Sequence, residues 1–162
     1  MDTGPMTIEL VHVALDSFDR AGVAVWIGGG WGIDALVGRQ TREHRDLDLM
    51  YRIEDDPQIR EVLSAAGYVA ETDWWPVRVE FRGPSYVDVH PLDFAPDGSA
   101  TQAGLDGARF EYPASAFVHG TIDGRRVGCL SAEQQRLFHS GYELREIDHA
   151  DLAALASALL ER

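Results

Sequence analysis

One cysteine in 162 residues leaves the chain unable to form an internal disulfide, which fits a reducing cytosol. Cys129 itself, between Gly128 and Leu130, reads as a small buried hydrophobe rather than a nucleophile. No apolar run reaches the roughly 18 residues that a membrane span needs. The N-terminus, Met1-Asp2-Thr3-Gly4-Pro5, lacks the basic and apolar regions of a signal peptide. The expected localisation is therefore cytoplasmic, with no membrane partner. Positive charge is also scarce: 14 basic residues stand against 27 acidic ones, a formal net charge of −13. A polyanion needs a basic face, so nucleic acid is not an expected partner. A small cationic acceptor suits such a chain, and so does plain solubility. No zinc-ligand spacing, Ser-His-Asp case, repeat or low-complexity tract is present.

What the chain does have is concentrated between Trp26 and Tyr51. Trp26-Ile27-Gly28-Gly29-Gly30-Trp31 reads as an apolar strand, a glycine turn and the start of a short helix. Such a turn offers bare backbone N–H groups to a phosphate. Arg45-Asp46-Leu47-Asp48-Leu49 follows, and its alternation puts both carboxylates on one face of a strand whose other face is buried. Their Cα atoms would lie roughly 6.7 Å apart, two strand rises, so both can converge on one or two divalent cations. A phosphate cradle beside carboxylate-held metal is what metal-assisted phosphoryl or nucleotidyl transfer needs. Arg39, Arg42, His44 and Arg45 lie between the two motifs, a local cationic excess in an acidic chain. Arginine can clamp phosphate oxygens; a solvated loop pairing with nearby acids is the plain alternative.

Gly28-Gly29-Gly30-Trp31-Gly32-Ile33-Asp34 and Thr41-Arg42-Glu43-His44-Arg45-Asp46-Leu47-Asp48 together resemble the antibiotic nucleotidyltransferases of the polymerase-beta superfamily. Within these the chain is similar to both the aminoglycoside 2″-adenylyltransferases and the small lincosamide nucleotidyltransferases. Asp88-Val89-His90-Pro91, Asp97-Gly98-Ser99-Ala100-Thr101-Gln102 and Leu137-Phe138-His139-Ser140-Gly141-Tyr142 extend the resemblance to the second group over nearly the whole chain. The resemblance implies transfer of AMP from ATP to a hydroxyl of a lincosamide such as lincomycin or clindamycin, with release of pyrophosphate. It also implies Mg²⁺, two ions, as cofactor. The metals would be held by Asp46, Asp48 and Asp88, the last carried over as the family's third acid. The nucleotide would be held by Gly28, Gly29, Gly30, Arg42 and His44. The alternatives are an aminoglycoside 2″-adenylyltransferase and a non-catalytic, antitoxin-like nucleotide-binding module; the intact set of three aspartates argues against the latter.

Asp88 sits between Val87 and Val89, and a carboxylate there has to be exposed, hydrogen-bonded or metal-bound. His90 shares its face. The aminoglycoside relatives have an acid at that second position, whereas the small lincosamide enzymes have a histidine. With Asp46, Asp48 and Asp88 it completes the candidate catalytic set, as general base on the acceptor hydroxyl or as a positioning residue. Trp74, Trp75, His139 and Tyr142 are candidates for substrate binding. Asp34, Glu43 and Asp93 read as surface, capping or supporting carboxylates, and Asp148 and Asp151 as helix-start acids.

Periodicity predicts an amphipathic helix over Thr7–Ala21, strands at Val23–Ile27 and Asp46–Tyr51, and a helix from Asp55 or Asp56 to Gly67. An antiparallel hairpin is expected over Val77–His90 and a second around Asp123-Gly124. A Ser131/Gln134 capping box should open one C-terminal helix and Asp148 cap the last. Pro91–Pro113 reads as a long loop over the site. The expected fold class is α/β (α+β), a polymerase-beta-type nucleotidyltransferase fold: a short mixed sheet, helices on one face, small C-terminal helices. The chain reads as a single domain, 1–162, with a catalytic core over about 1–95, loop and hairpin over 96–130, and helices over 131–162. That short C-terminal part leaves little room for a private acceptor pocket, which is compatible with a homodimer completing the site.

Overall fold

The computed structural model describes residues 2–138 and 146–160. The Thr7 hydroxyl accepts the Leu10 N–H at 3.3 Å and opens α1 (Ile8–Ala21). Gly22, at φ 71°, closes the helix in the left-handed region. Val11, Leu15 and Phe18 form its buried stripe. β1 (Val25–Gly28) runs directly into α2 (Gly29–Val37). β2 (Asp46–Arg52) is followed by a 3-10 turn at Ile53–Asp55 and by α3 (Asp56–Ala65), with Pro57 in its first turn. Asp55 makes no side-chain cap; Asp56 instead accepts from the Tyr51 hydroxyl and from Arg60 Nε at 2.8 Å.

β3 (Val69–Trp74), β4 (Arg78–Arg82) and β5 (Tyr86–Phe94) form an antiparallel meander. β8 (Phe117–Ile122) and β9 (Arg125–Leu130) form the hairpin signalled by Asp123-Gly124, both of which have positive φ. The Ser131 hydroxyl accepts the Gln134 N–H at 3.2 Å as α4 (Ala132–Phe138) begins. α5 (Glu146–Leu160) starts before Asp148, so that residue lies inside the helix rather than capping it.

The long loop expected over Pro91–Pro113 is a correction. β5 continues to Phe94, and β6 (Ala100–Ala103) and β7 (Arg109–Tyr112) add two strands. Neither contains Val or Ile, so composition concealed them. Their pairing comes from the turn at Asp97-Gly98, where Asp97 accepts the Ser99 N–H and hydroxyl at 2.9 and 2.6 Å, and from the buried Ala100–Tyr112 pair.

The strands order as β3-β4-β5-β2-β1-β9-β8, with β6 on β5 and β7 on β6. The sheet is mixed: β1 is antiparallel to β2, while β2 pairs parallel with β5 and β1 with β9. One face carries Ile27, Leu47, Leu49, Tyr51, Val87 and Val89, all buried under the helices with Trp31 and Phe18. Each such side chain contributes roughly 1.5–3 kcal/mol by leaving water. The other face carries the carboxylates and a smaller apolar cluster of Met50, Leu92, Ala100, Tyr112, Ala116 and Leu130. No described helix is long and apolar enough to cross a membrane.

Candidate active site

Strand register builds the site. Asp48 lies opposite Gly28 on β1 and opposite Asp88 on β5, and Met50 lies opposite His90. Two carboxylates facing each other across neighbouring strands repel, and they persist where something positive compensates them. Ligand atoms from Asp48, Asp88 and His90 all lie within 4.8 Å of one another and could hold a metal ion. His90 Nε2 is 3.4 Å from Asp48 Oδ1 and 3.8 Å from Asp88 Oδ2. Asp46 shares the face but stands outside this cluster, with Arg45 Nη1 3.2 Å from its carboxylate.

The electrostatics describe a surplus of anions. Burial, then the Asp48 charge, pushes the Asp46 carboxyl up to about 6 against the pull of Arg45. Asp88 is also raised, first by burial and then by Asp48, with His90 and Arg78 opposing. Burial alone would lower the His90 pKa, but the hydrogen bond to Asp48 and the charges of Asp48 and Asp88 raise it. A hard divalent cation suits such an oxygen-rich, under-compensated group.

The glycine turn approaches these side chains closely. Gly29 has φ 60°, and a Cβ there would lie 2.1 Å from Asp48 Oδ2. A Cβ on Gly30 would lie 2.5 Å from His44 Nδ1 and 2.8 Å from Arg42 Nη2. Gly28 supplies no side-chain cap to α2, so the first N–H groups of that helix face the site without a capping side chain.

Two cavities reach the paired aspartates of β2, one lined by Asp46 and the other by Asp48. One, of about 710 Å³, is lined by Gly30, Arg42, His44, Arg45, Asp46 and Tyr86, among others, with the Thr3–Pro5 segment along its side. Arg45 stacks on Tyr86 at 3.8 Å. Arg42 is held from behind: Nε and Nη2 donate to Asp151 of α5, each at 2.9 Å, and Nη1 donates to the Glu43 carbonyl. His44 is buried, with Nε2 2.5 Å from Asp34 Oδ2 and its ring 4.7 Å from that of Trp31. Thr41 donates to the same Asp34 through its N–H and hydroxyl, at 3.1 and 2.5 Å. Asp34 thus anchors the arginine-bearing segment from inside. Arg39 is exposed.

The second cavity, of about 590 Å³, has Gly29 and Asp48 in its wall. Its walls include Met50, His90, Gln102, Phe110, Tyr112 and Phe138, and they are mainly apolar. Gln102 Nε2 lies 3.4 Å from His90 Nδ1, while Tyr112 donates to Gln102 Oε1 at 2.5 Å. Trp74, the last residue of β3, and Trp75, in the turn after it, are about half exposed and line neither cavity. His139 and Tyr142 lie outside the described residues. Sequence reasoning missed Gln102, Phe110 and Tyr112 because they sit in the stretch taken for a loop. It also missed Arg78, whose Nη1 donates to both oxygens of Asp88, and Asp151 as the partner of Arg42.

A mixed sheet with this glycine turn and these carboxylates has the fold of a nucleotidyltransferase. It superposes on the lincomycin-bound lincosamide antibiotic adenylyltransferase LnuA with a TM-score of 0.88 and 37% identity, covering 96% of this chain and 99% of that one. The sequence model of the aminoglycoside-2″-adenylyltransferase family matches residues 10–155, and the chain belongs to that family. A lincosamide resistance protein of Staphylococcus haemolyticus is 39% identical over 92% of this chain and 93% of its own length. A 2″-aminoglycoside nucleotidyltransferase of Escherichia coli is 34% identical over 82% of this chain and 71% of its own. The solution structure of ANT(2″)-Ia shares the fold, with a TM-score of 0.75.

Proposed function

We propose that this chain is a lincosamide nucleotidyltransferase, which moves AMP from ATP to a hydroxyl of lincomycin or clindamycin and releases pyrophosphate. The observation that carries the reading is the cluster of Asp48, Asp88 and His90, of which Asp48 and His90 line a mainly apolar cavity, while Asp46 on the same strand lines a cavity with two arginines. Arg42, Arg45 and the N–H groups of Gly28–Gly30 would hold the triphosphate. The acceptor would enter past Phe110 and Tyr112. Its hydroxyl oxygen bonds to the α-phosphorus, the bond from that phosphorus to the bridging oxygen breaks, and the electron pair leaves with pyrophosphate. The hydroxyl proton passes to His90 Nε2 or to a neighbouring carboxylate. Two Mg²⁺ ions held by Asp46, Asp48 and Asp88 would lower the pKa of the hydroxyl and neutralise charge on the phosphates.

The family match and the Escherichia coli relative favour a second acceptor class, the aminoglycosides. The mainly apolar second cavity suits a lincosamide better than a polycation. The reading places the reaction in the cytoplasm, where ATP is, and leaves nucleic acid out because a net charge of −13 offers it no basic face. A homodimer whose second copy closes the open cavity belongs to the same reading, and light scattering with and without lincomycin tests it.

Incubation with ATP, Mg²⁺ and a drug panel, followed by mass spectrometry, tests the function. Clindamycin should gain one nucleoside monophosphate while aminoglycosides stay unmodified. Faster adenylylation of kanamycin-class drugs would replace the acceptor but keep the transferase. No transfer to any drug would leave the nucleotide-binding module.

A further inference from the structure

We propose that Arg78 is a counter-ion latch: it holds Asp88 while no divalent cation is bound, and a cation arriving at Asp48 and Asp88 displaces it. The proposal rests on the reading of those two carboxylates as cation ligands. Asp88 lies opposite Glu80, and Arg78 stands two residues before Glu80 on the same strand. Arg78 and Asp88 are therefore diagonal neighbours on the site face, within reach of a long side chain. Arg78 Nη1 sits 3.1 Å from one Asp88 oxygen and 3.0 Å from the other. A donor equidistant from both oxygens occupies the direction from which a carboxylate chelates a cation, so the two positive groups compete for one position.

The charge balance favours exchange over permanent pairing. Asp48 faces Asp88 across the strands, and burial with that like charge keeps the Asp88 carboxyl above its ordinary range despite Arg78 and His90. One arginine therefore compensates the pair only partly, whereas a divalent ion brings twice the charge. Arg78 also has a second contact besides Asp88. Its guanidinium carbon is 4.9 Å from the centroid of the Trp74 ring, and Trp74 is its direct partner across β3 and β4. A guanidinium that leaves Asp88 keeps this aromatic contact. The half-exposed Trp74, on an outer strand away from both cavities, thereby gains a role as backing for the latch.

Mn²⁺ binding to the full chain without nucleotide, followed by electron paramagnetic resonance of the free ion, tests the proposal. Arg78→Gln should bind Mn²⁺ about tenfold more tightly than wild type, the order expected from releasing one charge-assisted pair. Arg78→Lys, which keeps the charge but not the planar stack, should fall between the two. Mg²⁺ should also shift the tryptophan emission of wild type, and this shift should vanish in Arg78→Gln and in Trp74→Phe. Unchanged or weaker Mn²⁺ binding in Arg78→Gln, with Asp48→Asn losing binding, overturns the latch alone. If Arg78→Gln does not fold, Arg78→Lys with wild-type affinity and an unchanged emission shift overturns it. Equal Mn²⁺ affinity in wild type and Asp48→Asn overturns the cation reading itself, and the latch with it.

Discussion

Gly29→Ala adds one methyl group where the backbone comes nearest to Asp48. Two costs follow, and they can be separated. Gly29 has φ 60°, and a non-glycine residue there loses about 1–2 kcal/mol. For a chain of this length that lowers the melting temperature by about 2–8 °C. The second cost is local. The new Cβ would stand 2.1 Å from Asp48 Oδ2 and 3.1 Å from its Cγ, so the carboxylate has to retreat by about 1 Å or more to reach ordinary contact. It thereby leaves His90 and Asp88, and a displacement of about 1 Å in reacting groups costs on the order of 10²-fold in rate. Gly22→Ala is the control. Gly22 has φ 71°, and a Cβ there meets nothing within 4 Å, so it carries the backbone cost without the clash. Pyrophosphate release with ATP, Mg²⁺ and clindamycin, beside thermal melts of both variants, is the assay. The expected result is similar melting for the two, with activity lost about 100-fold only in Gly29→Ala. Gly29→Ala within threefold of wild type, or an equal loss in Gly22→Ala, would refute the reasoning.

Asp46→Asn and Asp48→Asn should each abolish transfer while melting like wild type, because the amide keeps the shape but not the anionic ligand; activity within tenfold for either variant counts against both as metal ligands. Asp151→Ala removes two of the three acceptors that hold Arg42, leaving the Glu43 carbonyl, so the KM for ATP should rise about tenfold or more with the acceptor KM little changed; equal effects on both would make the contact purely structural. His90→Ala should slow transfer by about 10²–10⁴-fold and flatten the acidic limb of kcat/KM; a persisting limb would reduce His90 to positioning. In the metal-free protein His90 should titrate above the usual 6.5, because Asp48 and Asp88 favour its charged form. Its contribution to stability is then full below 6.5 and lost as pH rises through the folded value. Histidine NMR titration checks this, and Asp48→Asn should lower the value.

How far the sequence could be read depended on the range of the signal. The apolar spacing of α1, the Asp123-Gly124 turn and the Ser131 cap act within a few residues, and each was legible. The alternation of Asp46, Leu47, Asp48 and Leu49 revealed which side of the strand would face the site. Nothing local revealed the parallel register that sets Asp48 against Asp88, or the fork from Arg42 to Asp151. β6 and β7 escaped because Ala100, Gln102, Arg109 and Glu111 have little strand preference and owe their conformation to pairing. Sequence left Asp34 open as a surface, capping or supporting carboxylate, because its partners, Thr41 and His44, converge on it only after the chain turns back.

The alternation along β2 also protects the site from error. Side chains repeat every second residue, so a slip of one position would drive Asp46 and Asp48 into the helical core and expose Leu47 and Leu49, which are now fully buried. Burying one unpaired carboxylate already costs more than a small domain can spare. Misregistered pairings with β1 or β5 are therefore eliminated by the packing of leucines on the far side of the sheet. The fidelity of the carboxylate geometry is inherited from residues that touch no ligand, and shaving Leu47 or Leu49 to alanine would loosen the discrimination between registers as well as the core.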